Sequence, residues 1–73
     1  MVDKTELLNI LIQKNLDHDC YSIGEERNES LCLIEDFSGW CVFYSERGHR
    51  TEPKYYSTEN DACKAFLSRI EKW

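Results

Sequence analysis

The chain has little punctuation and no long apolar run. One proline and three glycines are spread over 73 residues, and no stretch approaches 18 consecutive apolar residues. A membrane-spanning helix is therefore excluded from the reading. The N-terminal segment Leu7–Leu16 is interrupted by Asn9, Gln13, Lys14 and Asn15 and lacks a small-residue cleavage site. It does not read as a signal peptide, so the expected location is cytoplasmic. Basic residues are also scarce, nine against fourteen acidic ones, for a formal net charge of -5. Phosphate backbones and anionic membranes repel such a chain, which makes nucleic acid and membrane poor partners. The charge either simply maintains solubility or favours a basic protein as partner, because opposite surface fields speed encounter.

Close cysteine pairs are missing as well. Cys20, Cys32, Cys41 and Cys63 are separated by 12, 9 and 22 positions. Structural zinc sites place ligands in close pairs, so no metal is expected. Without an export signal no disulfide is required, and Cys32, Cys41 and Cys63 read as small buried hydrophobes. Phosphate-binding glycine loops, HExxH and GxSxG are all absent. A Cys–His–Asp grouping of Cys41 or Cys63 with His49 and Asp36 has no supporting turn or glycine-rich oxyanion segment. Glu35 and Glu46 fall at strand ends, where solvation is the simpler reading. The sequence points to no catalytic residue, no cofactor and no enzyme.

What is present is a single-domain pattern over 1–73, with 41% hydrophobic and 12% aromatic residues. Asp3 and Glu6 have capping-box spacing, and Leu7, Leu8, Leu11 and Ile12 form one apolar stripe, which predicts a helix over 3–16. Asn15, Asp17 and Asp19 end it. His18, between two aspartates, reads as an exposed side chain whose protonated form they favour. Strands are predicted near 21–24, 31–36, 40–45 and 54–57. The run Trp40–Ser45 is the strongest, with Trp40, Val42 and Tyr44 on one face and Cys41 and Phe43 on the other. Gly48 suits a tight hairpin, and Pro53 suits a strand start or an edge. Thr58 and Asp61 open a second helix over 59–72, with Ala62, Cys63, Phe66, Leu67 and Ile70 inward and Trp73 extending the stripe.

The expected fold is α+β: helix, three- or four-stranded antiparallel meander, helix, with both helices on one sheet face. The other face would then display apolar side chains, as contact surfaces do. Interfaces centre on aromatic residues and Arg. The central protein-binding candidates are therefore Tyr21, Phe43, Tyr44, Arg47 and Tyr55. Asp36 and Glu52, with Glu25, Glu26 and Glu29, would form the charged rim. Trp40 is expected to be mostly buried against the second helix.

The stretch Trp40-Cys-Val-Phe-Tyr-Ser-Glu-Arg-Gly48, followed by Tyr56, Ser57, Glu59, Ala62, Cys63 and Phe66-Leu67, is distinctive. It resembles a W-x-V-x-Y-S-E-R-G signature and its continuation, aromatic-x-[ST]-E-x-x-A-C-x-x-F-L, in small bacterial immunity proteins of polymorphic and contact-dependent toxin systems. The similarity covers residues 31–70, and Thr58 between Ser57 and Glu59 departs from the pattern. The resemblance implies an inhibitor without an active site that binds and blocks a toxin domain encoded beside it. Of the motif residues, Trp40, Tyr44 and Phe66 read as core or core edge and Gly48 as turn geometry. Glu46 and Arg47 are expected to tie the hairpin to Glu59. The alternative is a small structural or regulatory module that forms a homodimer through its open sheet face.

Overall fold

The computed structural model describes residues 2–72, without the side chain of His18. The expectations for the His18 side chain and for Trp73 lie outside the described residues. Helix α1 (Lys4–Gln13) leads through a 3-10 turn, His18–Cys20, into four strands: β1 (Tyr21–Ile23), β2 (Ser30–Asp36), β3 (Gly39–Glu46) and β4 (His49–Tyr56). Helix α2 (Glu59–Ile70) follows. The strands form one sheet in sequential order, and both helices pack on the same face, as the α+β reading expects.

Local chemistry sets the element ends. The Asp3 carboxylate accepts the Glu6 amide at 2.8 Å, and the Thr58 hydroxyl accepts the Asp61 amide at 3.1 Å. Each satisfies one of the orphan donors of a helix start. The first helix stops at Gln13, three residues early, because Asn15 turns left-handed at φ 61. Asparagine tolerates that conformation better than most residues. The β3–β4 turn has positive φ at both central residues, Arg47 (51) and Gly48 (81). Two such residues give the turn twist that matches a hairpin. Strand β4 therefore begins at His49, five residues earlier than its apolar content suggested, held by the turn register rather than by propensity.

The two β4 pairings on either side of Phe43, Val42 with Lys54 and Tyr44 with Thr51, enclose one extra residue. This is a bulge, with Glu52 left-handed at φ 50 and Pro53 beside it on the sheet edge. Such a kink is where an edge strand accommodates proline. Arg69, on α2, donates to the carbonyls of Val42 (3.2 Å) and Glu52 (3.0 Å) and so fastens the bulge to the helix.

One strand departs from the meander. β1 runs parallel to β2, with Tyr21 opposite Leu31 and Ile23 opposite Leu33. Parallel neighbours ordinarily need a long crossover. Here β1 is only three residues long, about 10 Å, so the short return Gly24–Glu29 can span it. Gly24 (φ 96) and Glu29 (φ 58) make the two reversals.

The main core lies between sheet and helices. It contains Leu7, Leu11, Tyr21, Leu31, Leu33, Val42, Ala62, Cys63, Phe66 and Ile70, with Trp40, Tyr44, Tyr56 and Leu67 partly buried at its margin. Of the expected α1 stripe, Leu8 stays partly exposed (38%) and Ile12 more so (58%). Trp40 is less enclosed than expected, with the Lys4 ammonium 5.4 Å from its ring centre. Asn60 and Glu59 accept the backbone amides of Val2 (2.8 Å) and Lys4 (2.7 Å), which joins the two helix starts.

Candidate functional site

The second sheet face carries Cys32, Ile34, Cys41 and Phe43. It does not present the open apolar surface that the strand pattern suggested, because the Gly24–Glu29 return lies across it as a strap. The Ser22 hydroxyl donates to the Glu25 carbonyl (2.7 Å), and the Ser30 hydroxyl donates to the Arg27 carbonyl (2.9 Å). The Glu29 amide donates to the Ser45 carbonyl at 2.6 Å. Arg50 completes the cover. Its guanidinium sits 4.5 Å from the Phe43 ring centre and pairs with Glu26 at 3.1 Å, which raises the pKa of Arg50 further. Cys32 and Phe43 are fully buried under this cover, and Cys41, in register with Tyr55 on β4, is fully buried as well.

This placement corrects two of the central interface candidates. Phe43 is sealed under the strap, and Tyr21 lies in the main core at 5% exposure, because β1 faces the helices. Neither offers surface. The others separate. Tyr44 and Glu52 line one shallow groove with Thr51 and Arg69. Arg47 stands alone at the hairpin apex, exposed. Glu46 and Arg47 do not reach Glu59, whose carboxylate is taken by Lys4. The hairpin is roughly 20 Å along β3 from the Trp40–Tyr56 pairing that precedes α2. Of the rim, Glu26 is spent on Arg50, while Glu25, Glu29, Asp36 and Glu52 are exposed.

Tyr55 and Asp36 do come together. They line a groove of about 280 Å³ at the opposite end of the sheet, with Phe37, Ser38, Gly39, Trp40, Tyr56 and Ser57. Four of the nine aromatic residues of the chain meet there. The β2–β3 turn makes this possible. Asp36 faces Gly39 in register, and its carboxylate accepts the Phe37 amide at 2.7 Å. Gly39 has no side chain because a Cβ would collide with the Tyr56 carbonyl oxygen. That close approach brings the end of β4 against the turn. Phe37 is thrown wholly into solvent, at 102% relative exposure, and Tyr55 is 64% exposed. Phe37 was missed in the sequence because it reads as the residue before a Ser-Gly turn. A large apolar side chain at a turn apex is the signal that marks it.

The buried cysteines behave as packing groups. Burial, with Glu59 and Asp3 nearby, pushes the Cys63 thiol up to about 11. Burial also raises Cys41, against the lowering pull of Arg50 and a hydrogen bond with Tyr55. Among the described residues no group of three or more His, Cys, Asp or Glu is placed to hold a metal ion. No helix there is long and apolar enough to cross a membrane. Comparison with known proteins gives no match to a family model, a curated protein or a solved structure.

Proposed function

We propose that the chain is a non-enzymatic protein-binding domain that engages a basic partner through the turn end of its sheet. One observation carries the reading: Phe37 and Tyr55, both exposed, border a groove with Asp36 on its wall. Exposed apolar residues scattered singly are ordinary, but aromatic side chains gathered around a concave site mark contact surfaces. Phe37 has no packing role that would otherwise account for it. The excess of acid supports a basic partner and predicts salt-sensitive association. The finer reading is an immunity protein that neutralises a cognate toxin domain in the cytoplasm, and it rests on the Trp40–Gly48 resemblance.

Self-association through the sheet is the weaker reading. The face that would pair is covered by the strap, and β1 is too short to template a neighbour. The β4 edge carries Arg50, Lys54, Pro53 and the Glu52 bulge, features that discourage strand addition.

The test compares the wild-type protein with the double variant Phe37→Ser, Tyr55→Ser, each immobilised and exposed to extract of its native cell. A basic protein retained by the wild type, released by salt and lost with the variant supports the reading. A retained set that the substitutions leave unchanged overturns it. Sedimentation of the pure protein as a dimer would favour the self-associating module.

A further inference from the structure

We infer that the groove at the turn end is a slot for a cationic side chain, arginine above all, carried on an extended segment of the partner. This rests on the binding reading above and specifies its chemistry. The fold already stacks cations on its aromatic rings in two places. Lys4 lies 5.4 Å from the Trp40 ring centre, and Arg50 lies 4.5 Å from that of Phe43. Phe37 and Tyr55 offer the same electron-rich faces, and among the described residues no cation stands over either. Asp36 supplies the charge. Its Oδ1 accepts the Phe37 amide, no Lys or Arg among the described residues pairs with the carboxylate, and the residue is exposed on the groove wall.

The parts act together. Aromatic rings attract a guanidinium both as a cation and as a flat stacking partner. A carboxylate at the rim fixes its orientation with charge-assisted hydrogen bonds. Lysine would gain the charge term but not the planar match. A proline-rich segment would use the rings and leave Asp36 idle. The chain's charge of -5 draws cations and disfavours an acidic segment at the same place.

The experiment uses isotope-labelled full-length protein and two short capped peptides, Gly-Gly-Arg-Gly-Gly and the same sequence with neutral citrulline in place of arginine. The expected result is saturable shifts confined to residues 36–40 and 55–57 with the arginine peptide, and binding weaker by about tenfold with citrulline. Asp36→Asn keeps the oxygen that accepts the Phe37 amide, so it leaves the turn intact while weakening arginine binding about fivefold to tenfold. Phe37→Ala should remove the shifts without disturbing distant signals. Equal binding of both peptides, shifts centred on Glu25–Glu29 instead, or no shifts at millimolar peptide would overturn the slot. Loss of partner capture in the Phe37, Tyr55 variant together with a silent arginine titration would retain the binding surface and reject the arginine slot. Site-specific arginine binding without any captured partner would do the reverse.

Discussion

The two faces of the sheet are closed by different means. On one, two helices bring Leu7, Leu11, Ala62, Cys63, Phe66 and Ile70 against Leu31, Leu33 and Val42, apolar surface against apolar surface. On the other, three buried side chains are covered piecemeal: Cys32 by a strap of six residues, Phe43 by the Arg50–Glu26 pair, and Cys41 beside Ile34 and Tyr55. The first closure draws on area removed from water, which is large and not weakened by ionic screening. The second relies on backbone hydrogen bonds, one stacked arginine and a half-exposed ion pair, each of modest net value. A sheet in a chain this small needs one strong face for stability. The second face needs only enough cover to keep it from becoming a site of aggregation.

The comparison can be broken by truncating one ring on each side. Phe66 and Phe43 are both fully buried. Phe66→Ala leaves a cavity among helix and sheet side chains that cannot collapse and should cost about 3–5 kcal/mol. Phe43→Ala should cost less, about 2–3 kcal/mol, because Arg50 and the strap can settle into the space. Urea unfolding measures both. An equal or greater loss at Phe43 would show that the strap is as rigid a wall as the helices.

The strong face was legible in the sequence and the weak one was not, for a physical reason. Apolar residues with period 3.6 in 62–70 and period 2 in 40–44 state which sides meet, and the capping residues Asp3 and Thr58 state where the helices start. The strap residues Gly24 to Glu29 are polar, and polarity alone reads as a solvated turn. Their role depends on β1 running parallel to β2, and three residues carry no signal of direction. Tyr21 and Phe43 read as exposed in the sequence because a surplus of apolar strand positions looks the same whether a partner or a loop covers it. Asp36 and Tyr55 were found from their residue types, while Phe37 needed the turn geometry. Arg69 gives no sequence signal of its role, since its bond to the bulge exists only once β4 has been kinked.

Arg69 links the helices to the sheet edge and tests how far the strong face extends. Its guanidinium holds the Val42 and Glu52 carbonyls, with the Glu52 carboxylate farther away at 4.0 Å. Arg69→Met keeps most of the stem and removes the donors. The expected loss is about 1–3 kcal/mol, mostly the cost of leaving the partly buried Val42 carbonyl without its donor. Amide exchange should quicken along 50–54 while the β2–β3 ladder stays protected. A loss spread evenly over the whole sheet would mean that the bulge is not an independent unit.

The smallest effect expected falls on the strap and is best read through the cysteines, which report on the two faces separately. Cys63 lies in the helix-side core, Cys32 lies under the strap, and Cys20 is exposed. A thiol reagent at pH 8 should therefore label in three phases. Cys20 reacts at once. Cys32 follows at the rate of local strap opening, which exposes it without disturbing the helices. Cys63, with its thiol pushed up to about 11, reacts last and only through global unfolding. Glu26→Gln removes the charge that anchors Arg50 at 3.1 Å, on side chains 38% and 37% exposed. Screening limits the worth of such a pair to about 0.2–1 kcal/mol, so global stability should hardly move. The middle phase should quicken by no more than about fivefold, and high salt should quicken it in the wild type but not in the variant. If Cys32 labels together with Cys63, the strap has no opening of its own, and the two faces fold and unfold as one unit.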